Sequence, residues 1–125
     1  MEVGKSHSKN PLLEINLGHI LVSKEVIDKV RENQEFAIYV KKCLEKYKHG
    51  EWGDISDYTG QINDRGLKMG RRLFSSYESN EYPEIWITTE PDRSYSTIMC
   101  PDEQASLDPL DDYSVLFGQE FIKSN

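Results

Sequence analysis

Acidic side chains in two predicted loops are the groups of this sequence best suited to chemistry. Glu51 and Asp54 lie in the loop "HGEWGD", and Glu90 and Asp92 lie in the short polar segment "EPDRS". Carboxylate oxygens contributed by two loops can bind a divalent cation. With Arg93 available to stabilise a developing negative charge, the chain could act as a metal-assisted hydrolase or nuclease, which is one hypothesis for its function.

The same polar residues could instead hold the loops in place or form a binding surface. Pro91 fixes its own backbone angle and Asp92 can bond to nearby backbone, as a tight turn between two strands requires. Carboxylates, arginine and serine also form networks of charge-assisted hydrogen bonds. We favour these roles, assign no catalytic residue or metal ligand, and expect no cofactor. The candidate binding surface comprises Glu51, Trp52, Asp54, Asn63, Glu90, Asp92, Arg93 and Ser94, together with Asp111 and Asp112 near the C-terminus.

The remaining nucleophilic and metal-ligating residues form no recognised catalytic pattern. His7, His19 and His49 show no zinc-ligand spacing with Cys43 or Cys100. The sequence contains no glycine-rich phosphate loop, nucleophile elbow or Cys-x-x-Cys pair. We therefore expect two buried free thiols and a protein that is not an enzyme.

The formal net charge of -7 is concentrated near the C-terminus. Residues 102–125 carry one Lys against six acidic residues, whereas residues 1–101 carry 14 Lys and Arg against 16 Asp and Glu. A nucleic-acid binder needs a continuous basic surface. Such a surface would require the lysines of the predicted second helix to join Arg65, Arg71 and Arg72. A nucleic-acid-binding regulator is therefore an alternative hypothesis, and we do not expect direct nucleic-acid binding.

The apolar pattern predicts an α+β domain in which about three helices pack on one face of a small, largely antiparallel sheet. "LEINLGHILVS", bent at its glycine, predicts an N-terminal strand that joins the sheet. "RRLFSSYE", "EIWITTE" and "YSTIMC" predict the three strands of an antiparallel β-meander. Helices are expected to begin after Ser23, after the polar segment "RENQE", and near Ser56.

Two of the helices carry predictions about which side faces the core. On the second helix, the core residues are expected to be Phe36, Val40, Cys43, Leu44 and Tyr47. On the third helix, which should end at Gly70, they are expected to be Tyr58, Ile62 and Met69. Gly60 and Gly66 would each cost that helix about 1 kcal/mol relative to Ala, unless they allow close packing against a neighbour.

The chain divides into three predicted segments. Residues 1–14 form a flexible leader, residues 15–103 form one α+β domain, and residues 104–125 form a tail rich in acidic and apolar residues. We expect the tail either to dock on the domain or to fold on a partner. No apolar stretch approaches the roughly 20 residues of a membrane-spanning helix, and the N-terminus lacks an apolar signal core. These features predict a cytoplasmic protein with no membrane association.

Several of these segments together resemble an uncharacterised family of small bacterial proteins, often encoded on plasmids and other mobile elements. The matching features are "HGEWGD", Asn63, "GRRLFSSY" and "IWITTEPDRSYSTIMCP". The family pattern has a Gly-Asp-Trp-Gly-Asp loop, an Asn in the next helix, a Gly-x-Arg-x-x-Ser-x-Tyr strand start, and an Ile-Thr-Glu-Ala-Asp-Arg-Ser-x-Thr-Thr hairpin. The resemblance covers Leu17 to about Glu103.

The sequence departs from that family pattern at four positions. Tyr47 replaces the expected His, Glu51 replaces Asp, Pro91 replaces Ala and Ser96 replaces the first Thr. The absence of His at position 47 removes an obvious general base. The resemblance therefore implies a fold unit and a bacterial mobile-element setting, and it implies no mechanism.

These observations favour a small acidic interaction protein of the cytoplasm. We expect it to be a mobile-element accessory that binds a host protein and modulates or inhibits it. The acidic tail suits a basic partner through charge complementarity. An anti-defence role is a further expectation that rests on analogy of genomic setting.

Overall fold

The computed structural model describes residues 13–101, and these residues form an α+β fold. The α+β prediction is thereby confirmed. The predicted leader and tail lie almost wholly outside the described residues. In chain order the elements are β1 (His19–Val22), α1 (Lys24–Glu32), α2 (Gln34–Lys48), α3 (Asp57–Met69), β2 (Leu73–Tyr77), β3 (Ile85–Thr89) and β4 (Tyr95–Met99).

The four described strands form one mixed sheet in the order β1-β4-β3-β2. β2, β3 and β4 pair antiparallel, as predicted for the three consecutive strands. β1 joins the sheet beside β4 but runs parallel to it, with His19 opposite Tyr95 and Val22 opposite Ile98. The sheet is therefore not a pure meander.

The N-terminal strand is shorter than predicted. Only His19–Val22 pairs with β4, because the backbone before it bonds to a helix: the Ile15 N–H donates to the Lys48 carbonyl at 2.9 Å. Gly18 adopts a φ of 65°, and a Cβ at this position would collide with the Ser94 carbonyl. The predicted bend at Gly18 is confirmed, and it marks where the strand begins.

Side-chain caps fix the limits of the helices. Ser23 and Ser56 begin α1 and α3, each by accepting a hydrogen bond from the backbone N–H three residues later. Asn33 ends α1 and begins α2, so one residue joins the two helices. Gly70 ends α3 with a left-handed φ of 66°. The predictions at Ser23, Ser56 and Gly70 are confirmed. No helix within residues 13–101 is long and apolar enough to span a membrane.

The hydrophobic core lies between α1, α2 and one face of the sheet, which we call the inner face. All five residues predicted for the core side of α2 are buried: Phe36, Val40, Cys43, Leu44 and Tyr47. From the sheet, the inner face contributes Ile20, Val22, Leu73, Tyr77, Ile85, Ile87 and Ile98.

The predicted core side of α3 is wrong. Tyr58 is 72% exposed and Met69 is 58% exposed, whereas the buried residues of the helix are Gly60, Asn63 and Gly66. α3 packs closely against the edge strand β2, and a Cβ at position 66 would lie 3.2 Å from the Leu73 side chain. Small and polar residues therefore face the protein, a pattern that apolar periodicity cannot reveal.

Candidate functional site

The two loops of the candidate surface contact opposite ends of β2. In the glycine loop, the Asp54 N–H donates to the Ser76 carbonyl at 2.7 Å. In the turn between β3 and β4, the Arg93 guanidinium donates to the Arg71 carbonyl at 2.7 Å. Arg71 and Ser76 lie five residue steps apart along nearly extended chain, a distance of about 16 Å. The two loops therefore do not converge on a common site.

This separation bears directly on the metal-site hypothesis. That hypothesis requires Glu51 and Asp54 to approach Glu90 and Asp92, which lie at the other end of β2. Within residues 13–101, no three or more His, Cys, Asp or Glu side chains are placed to hold a metal ion. The four carboxylates therefore do not converge into the ligand set that this alternative hypothesis requires.

Arg93 joins the turn to the end of α3. Its Nη1 donates to the carbonyls of Arg71, Glu90 and Pro91 at 2.7, 3.0 and 3.3 Å, and its Nη2 donates to the Gly66 carbonyl at 3.1 Å. A positive charge beside the last carbonyls of a helix is stabilising. Arg93 also adopts a φ of 61°, which is rare for a residue with a side chain. The guanidinium group therefore serves as a structural anchor.

The polar segment between β3 and β4 forms a closed turn. The Glu90 N–H donates to the Tyr95 carbonyl at 3.0 Å, and the Arg93 N–H donates to the Glu90 carbonyl at 2.9 Å. Asp92 accepts a hydrogen bond from the Ser94 N–H at 3.0 Å. Hydrogen bonds from the Ser94 hydroxyl and N–H lower the pKa of Asp92. The interpretation of this segment as a tight turn is confirmed, with Asp92 and Ser94 exposed at its tip.

Trp52 is a core residue. It is fully buried, and its ring meets the Tyr47 ring edge-on at a centroid distance of 5.6 Å. The indole N–H donates to the Asp64 carboxylate of α3 at 3.0 Å. Trp52 therefore ties the glycine loop to α2 and α3 and presents no surface to a partner.

The rest of the glycine loop is fixed against the end of β2. The Asp54 carboxylate accepts a hydrogen bond from the Glu78 N–H at 2.9 Å, and the Glu51 carbonyl accepts one from the Tyr77 hydroxyl at 2.6 Å. Gly53 has a φ of 77°, and a Cβ there would collide with the backbone of β2 and with the Tyr77 ring. The loop thus uses its polar groups and its glycine to cover the end of the sheet.

Asn63 satisfies the open edge of β2. Its carboxamide donates to the Phe74 carbonyl at 2.7 Å and accepts from the Phe74 N–H at 3.1 Å. One buried side chain therefore occupies both backbone groups that Phe74 turns away from β3. Exposed edge groups invite pairing with another chain, so this contact protects the sheet.

A chain of buried hydroxyl groups crosses the inner face, and the sequence did not reveal it. Ser96 donates to the Leu17 carbonyl at 2.7 Å, because a carbonyl oxygen can only accept. Thr89, whose hydroxyl lies 2.8 Å from that of Ser96, must therefore donate to Ser96. The Tyr47 hydroxyl, 2.6 Å from Thr89, then donates to Thr89. The direction of each hydrogen bond in the chain is thus fixed.

This hydroxyl chain is structural in character. Burial raises the pKa of Tyr47 well above its usual value, so its hydroxyl stays protonated and cannot serve as a general base. No local pattern pointed to these hydroxyl groups, because their hydrogen bonds join segments that lie far apart in the sequence.

The cysteines behave as predicted. Cys43 and Cys100 are both free and buried. Burial raises the pKa of the Cys43 thiol to about 11. A neutral buried thiol is a poor nucleophile and a poor metal ligand.

The residues predicted to form one binding surface do not lie together. Trp52 and Asn63 are buried, and Arg93 is engaged with backbone carbonyls. The remaining described residues lie in two distant patches, the glycine loop with Glu51 and Asp54, and the turn with Glu90, Asp92 and Ser94. Asp111 and Asp112 lie outside the described residues.

Two basic residues that the nucleic-acid hypothesis requires do not contribute to a continuous basic surface. Lys48 of α2 is buried. Arg72 pairs with Glu90 at 3.7 Å, which offsets its charge. Arg65 and Arg71 are exposed near the edge of the sheet.

Neither protein-family models nor curated proteins nor solved structures give a match to this chain. Its function must therefore be argued from the arrangement of its own residues.

Proposed function

We propose that the chain is a small non-catalytic protein that binds another protein and modulates or inhibits it. The observation that supports this proposal is the structural use of three residues of the candidate surface. Asn63 and Arg93 direct their polar groups to backbone atoms, and Trp52 directs its N–H to a neighbouring helix. Groups engaged in this way are unable to act on a substrate without breaking the fold.

Charge supplies the means of recognition. Residues 102–125 carry six acidic residues and one Lys, whereas the rest of the chain is nearly balanced. A strongly acidic segment next to a nearly neutral domain steers the protein toward basic partners and adds specificity. The partner we propose is therefore a protein with a basic surface, such as one that handles nucleic acid.

The setting of this activity follows from the resemblance of the glycine loop and the turn to bacterial mobile-element proteins. Within that setting, the chain acts in the cytoplasm on a protein of the host cell. Interference with a host defence protein is the form of inhibition that such a setting favours. This part of the proposal rests on analogy rather than on the geometry of the site.

Affinity capture with a charge-neutralised control tests the proposal. The full-length chain and a variant in which Asp102, Glu103, Asp108, Asp111, Asp112 and Glu120 become the corresponding amides are immobilised at equal density. Both are exposed to a bacterial lysate at low and at high salt. We expect the native chain to capture a basic protein at low salt, with loss of capture in the amide variant and at high salt. Equal capture by both chains, or none by either, would contradict the proposal.

A further inference from the structure

Part of the sheet face opposite α1 and α2 is buried. We call Leu21, Thr88, Thr97 and Met99 the outer patch, because strand alternation places them on the face opposite the core. Their relative exposures are 5%, 4%, 4% and 1%. A bare sheet face would leave such side chains open to water, so some part of the chain must cover them.

The buried apolar residues of α1 and α2 do not supply this cover. The buried apolar residues of α1 and α2 belong to one cluster with the inner face, and neither Leu21 nor Met99 belongs to that cluster. At the rim of the outer face, the Glu84 carboxylate accepts hydrogen bonds from the Ser76 hydroxyl and the Trp86 indole at 2.7 and 2.9 Å. These contacts lie on β2 and β3, away from the β1 side of the patch.

We propose that the C-terminal segment, residues 102–125, covers the outer patch of its own chain. This segment begins directly after Pro101, two residues beyond Met99 at the end of β4. It carries the apolar side chains needed to bury the patch: Leu107, Leu110, Val115, Leu116, Phe117, Phe121 and Ile122. Apolar burial of this kind is worth roughly 25 cal/mol per Å².

The other end of the chain is a poorer match for this role. Residues 1–12 are mostly polar. They also join the domain on the helix side, where the Leu13 carbonyl contacts the His49 ring at 2.7 Å and the Ile15 N–H donates to Lys48. The C-terminal segment therefore has both the better composition and the better point of departure.

Distance favours cover within one chain. The outer patch spans β1, β4 and β3, which are about 10 Å apart from first to last. Twelve extended residues reach about 40 Å, so the apolar residues of the segment can reach every part of the patch. A tethered segment also acts at a high effective concentration, which favours it over a second copy.

The Thr88 side chain is a buried polar group of the outer patch. Its hydroxyl is buried and finds no hydrogen-bond partner within residues 13–101. A buried hydroxyl without a partner is costly. A carbonyl group of the covering segment would accept a hydrogen bond from this hydroxyl. The inference does not rest on the proposed function, since apolar side chains make this contact and the acidic ones remain available to a partner.

Paramagnetic broadening in NMR spectra tests the proposal. A nitroxide label is attached at Ser114→Cys in the full-length ¹⁵N chain, and wild-type chain treated with the same reagent controls for reaction at the buried cysteines. We expect the amides of the outer patch to lose most of their intensity, and those of α1 and α2, beyond the sheet, to lose less. Phe117→Ser with Phe121→Ser should restore the patch signals, whereas Asp111→Asn with Asp112→Asn should not.

A mixed sample identifies which chain supplies the cover. Spin-labelled chain without ¹⁵N is added to ¹⁵N wild-type chain, and we expect no loss at the outer patch. Loss in the mixed sample would mean that a second copy covers the patch, and this would overturn the proposal. The proposal would also be overturned if the outer-patch amides of the labelled chain itself kept their signal intensity. It would be overturned too if their intensity were still lost in the variant with Phe117→Ser and Phe121→Ser.

Discussion

Asn63 of α3 binds both backbone groups of Phe74, donating to its carbonyl at 2.7 Å and accepting from its N–H at 3.1 Å. The side chain thus takes the place that a neighbouring strand would occupy at the edge of β2. A carboxamide carries its donor and its acceptor on separate atoms, so one side chain can satisfy both backbone groups. The residue that looked like part of a binding surface is therefore part of the sheet.

Substitution of Asn63 should destabilise the protein. Asn63→Ala removes two part-buried hydrogen bonds, each worth about 0.5–1.5 kcal/mol, so the free energy of unfolding should fall by about 1–3 kcal/mol. Urea unfolding followed by circular dichroism measures this change. Asn80→Ala, at an exposed loop position, is the matched control and should change stability by less than about 0.5 kcal/mol. Equal effects of the two substitutions would show that the contact with Phe74 contributes nothing.

Substitution of Arg93 should also destabilise the protein. Arg93→Ala removes four hydrogen bonds to carbonyl groups, and the net contribution of a hydrogen bond to a charged group is about 1.5–3 kcal/mol. We expect a clear fall in melting temperature. Arg93→Lys should recover only part of it, because an ammonium group cannot match the planar fork of guanidinium.

The exposed Arg65 of α3 provides the control for Arg93. Arg65→Ala removes the same charge from the same region and should leave the melting temperature almost unchanged. A fully stable Arg93→Ala variant would return Arg93 to the group of functional candidates.

The direction of the hydrogen bonds in the hydroxyl chain predicts which of two substitutions lowers the free energy of unfolding more. Ser96→Ala leaves the Leu17 carbonyl without a donor and the Thr89 proton without an acceptor, whereas Tyr47→Phe leaves only an acceptor site on Thr89 unused. Ser96→Ala should therefore cost more in unfolding free energy than the loss of one ordinary hydrogen bond, about 1 kcal/mol. Equilibrium unfolding of both variants checks the order. A larger cost for Tyr47→Phe would contradict the assigned direction of the hydrogen bonds.

Cys43 should resist thiol reagents in the folded protein. Burial raises the pKa of its thiol to about 11, above the value of about 8.5 for an unfolded cysteine. Folding favours the neutral thiol, and this contribution to stability is fully present below the pKa of the unfolded cysteine, about 8.5. It is lost as the pH rises through the folded-state pKa of about 11. At pH 8 we expect no reaction with a disulfide reagent until denaturant is added. Lys46→Cys, which places a thiol on the exposed side of α2, should react at once, and rapid reaction of Cys43 would disprove its burial.

The sequence predicts best where local pattern and tertiary structure agree. Phe36, Val40 and Tyr47 repeat at helical spacing, so the core side of α2 could be predicted, as could the stop at Gly70. The core side of α3 could not be predicted from apolar spacing, because this helix packs through Gly66 and Asn63 and exposes Tyr58. Its orientation depends on the edge of β2, which apolar periodicity does not encode.

Contacts between distant segments were beyond the reach of pattern analysis. The hydrogen bond from Ser96 to Leu17 joins positions 79 residues apart, and the parallel pairing of β1 with β4 is equally remote. The candidate residues were identified as polar residues of interest, but their separation by the length of β2 could not be anticipated. Loop residues far apart in sequence can be brought together or held apart only by the strands between them.

The claim that the loop and turn carboxylates do no chemistry is tested most directly by measuring hydrolysis. Purified full-length protein is incubated with Mg²⁺ or Mn²⁺ and with phosphodiester and phosphomonoester substrates. The matched variant carries Glu51→Gln, Asp54→Asn, Glu90→Gln and Asp92→Asn. We expect the native chain to show no turnover above that of the variant. Metal-dependent turnover by the native chain that disappears in the variant would contradict the claim.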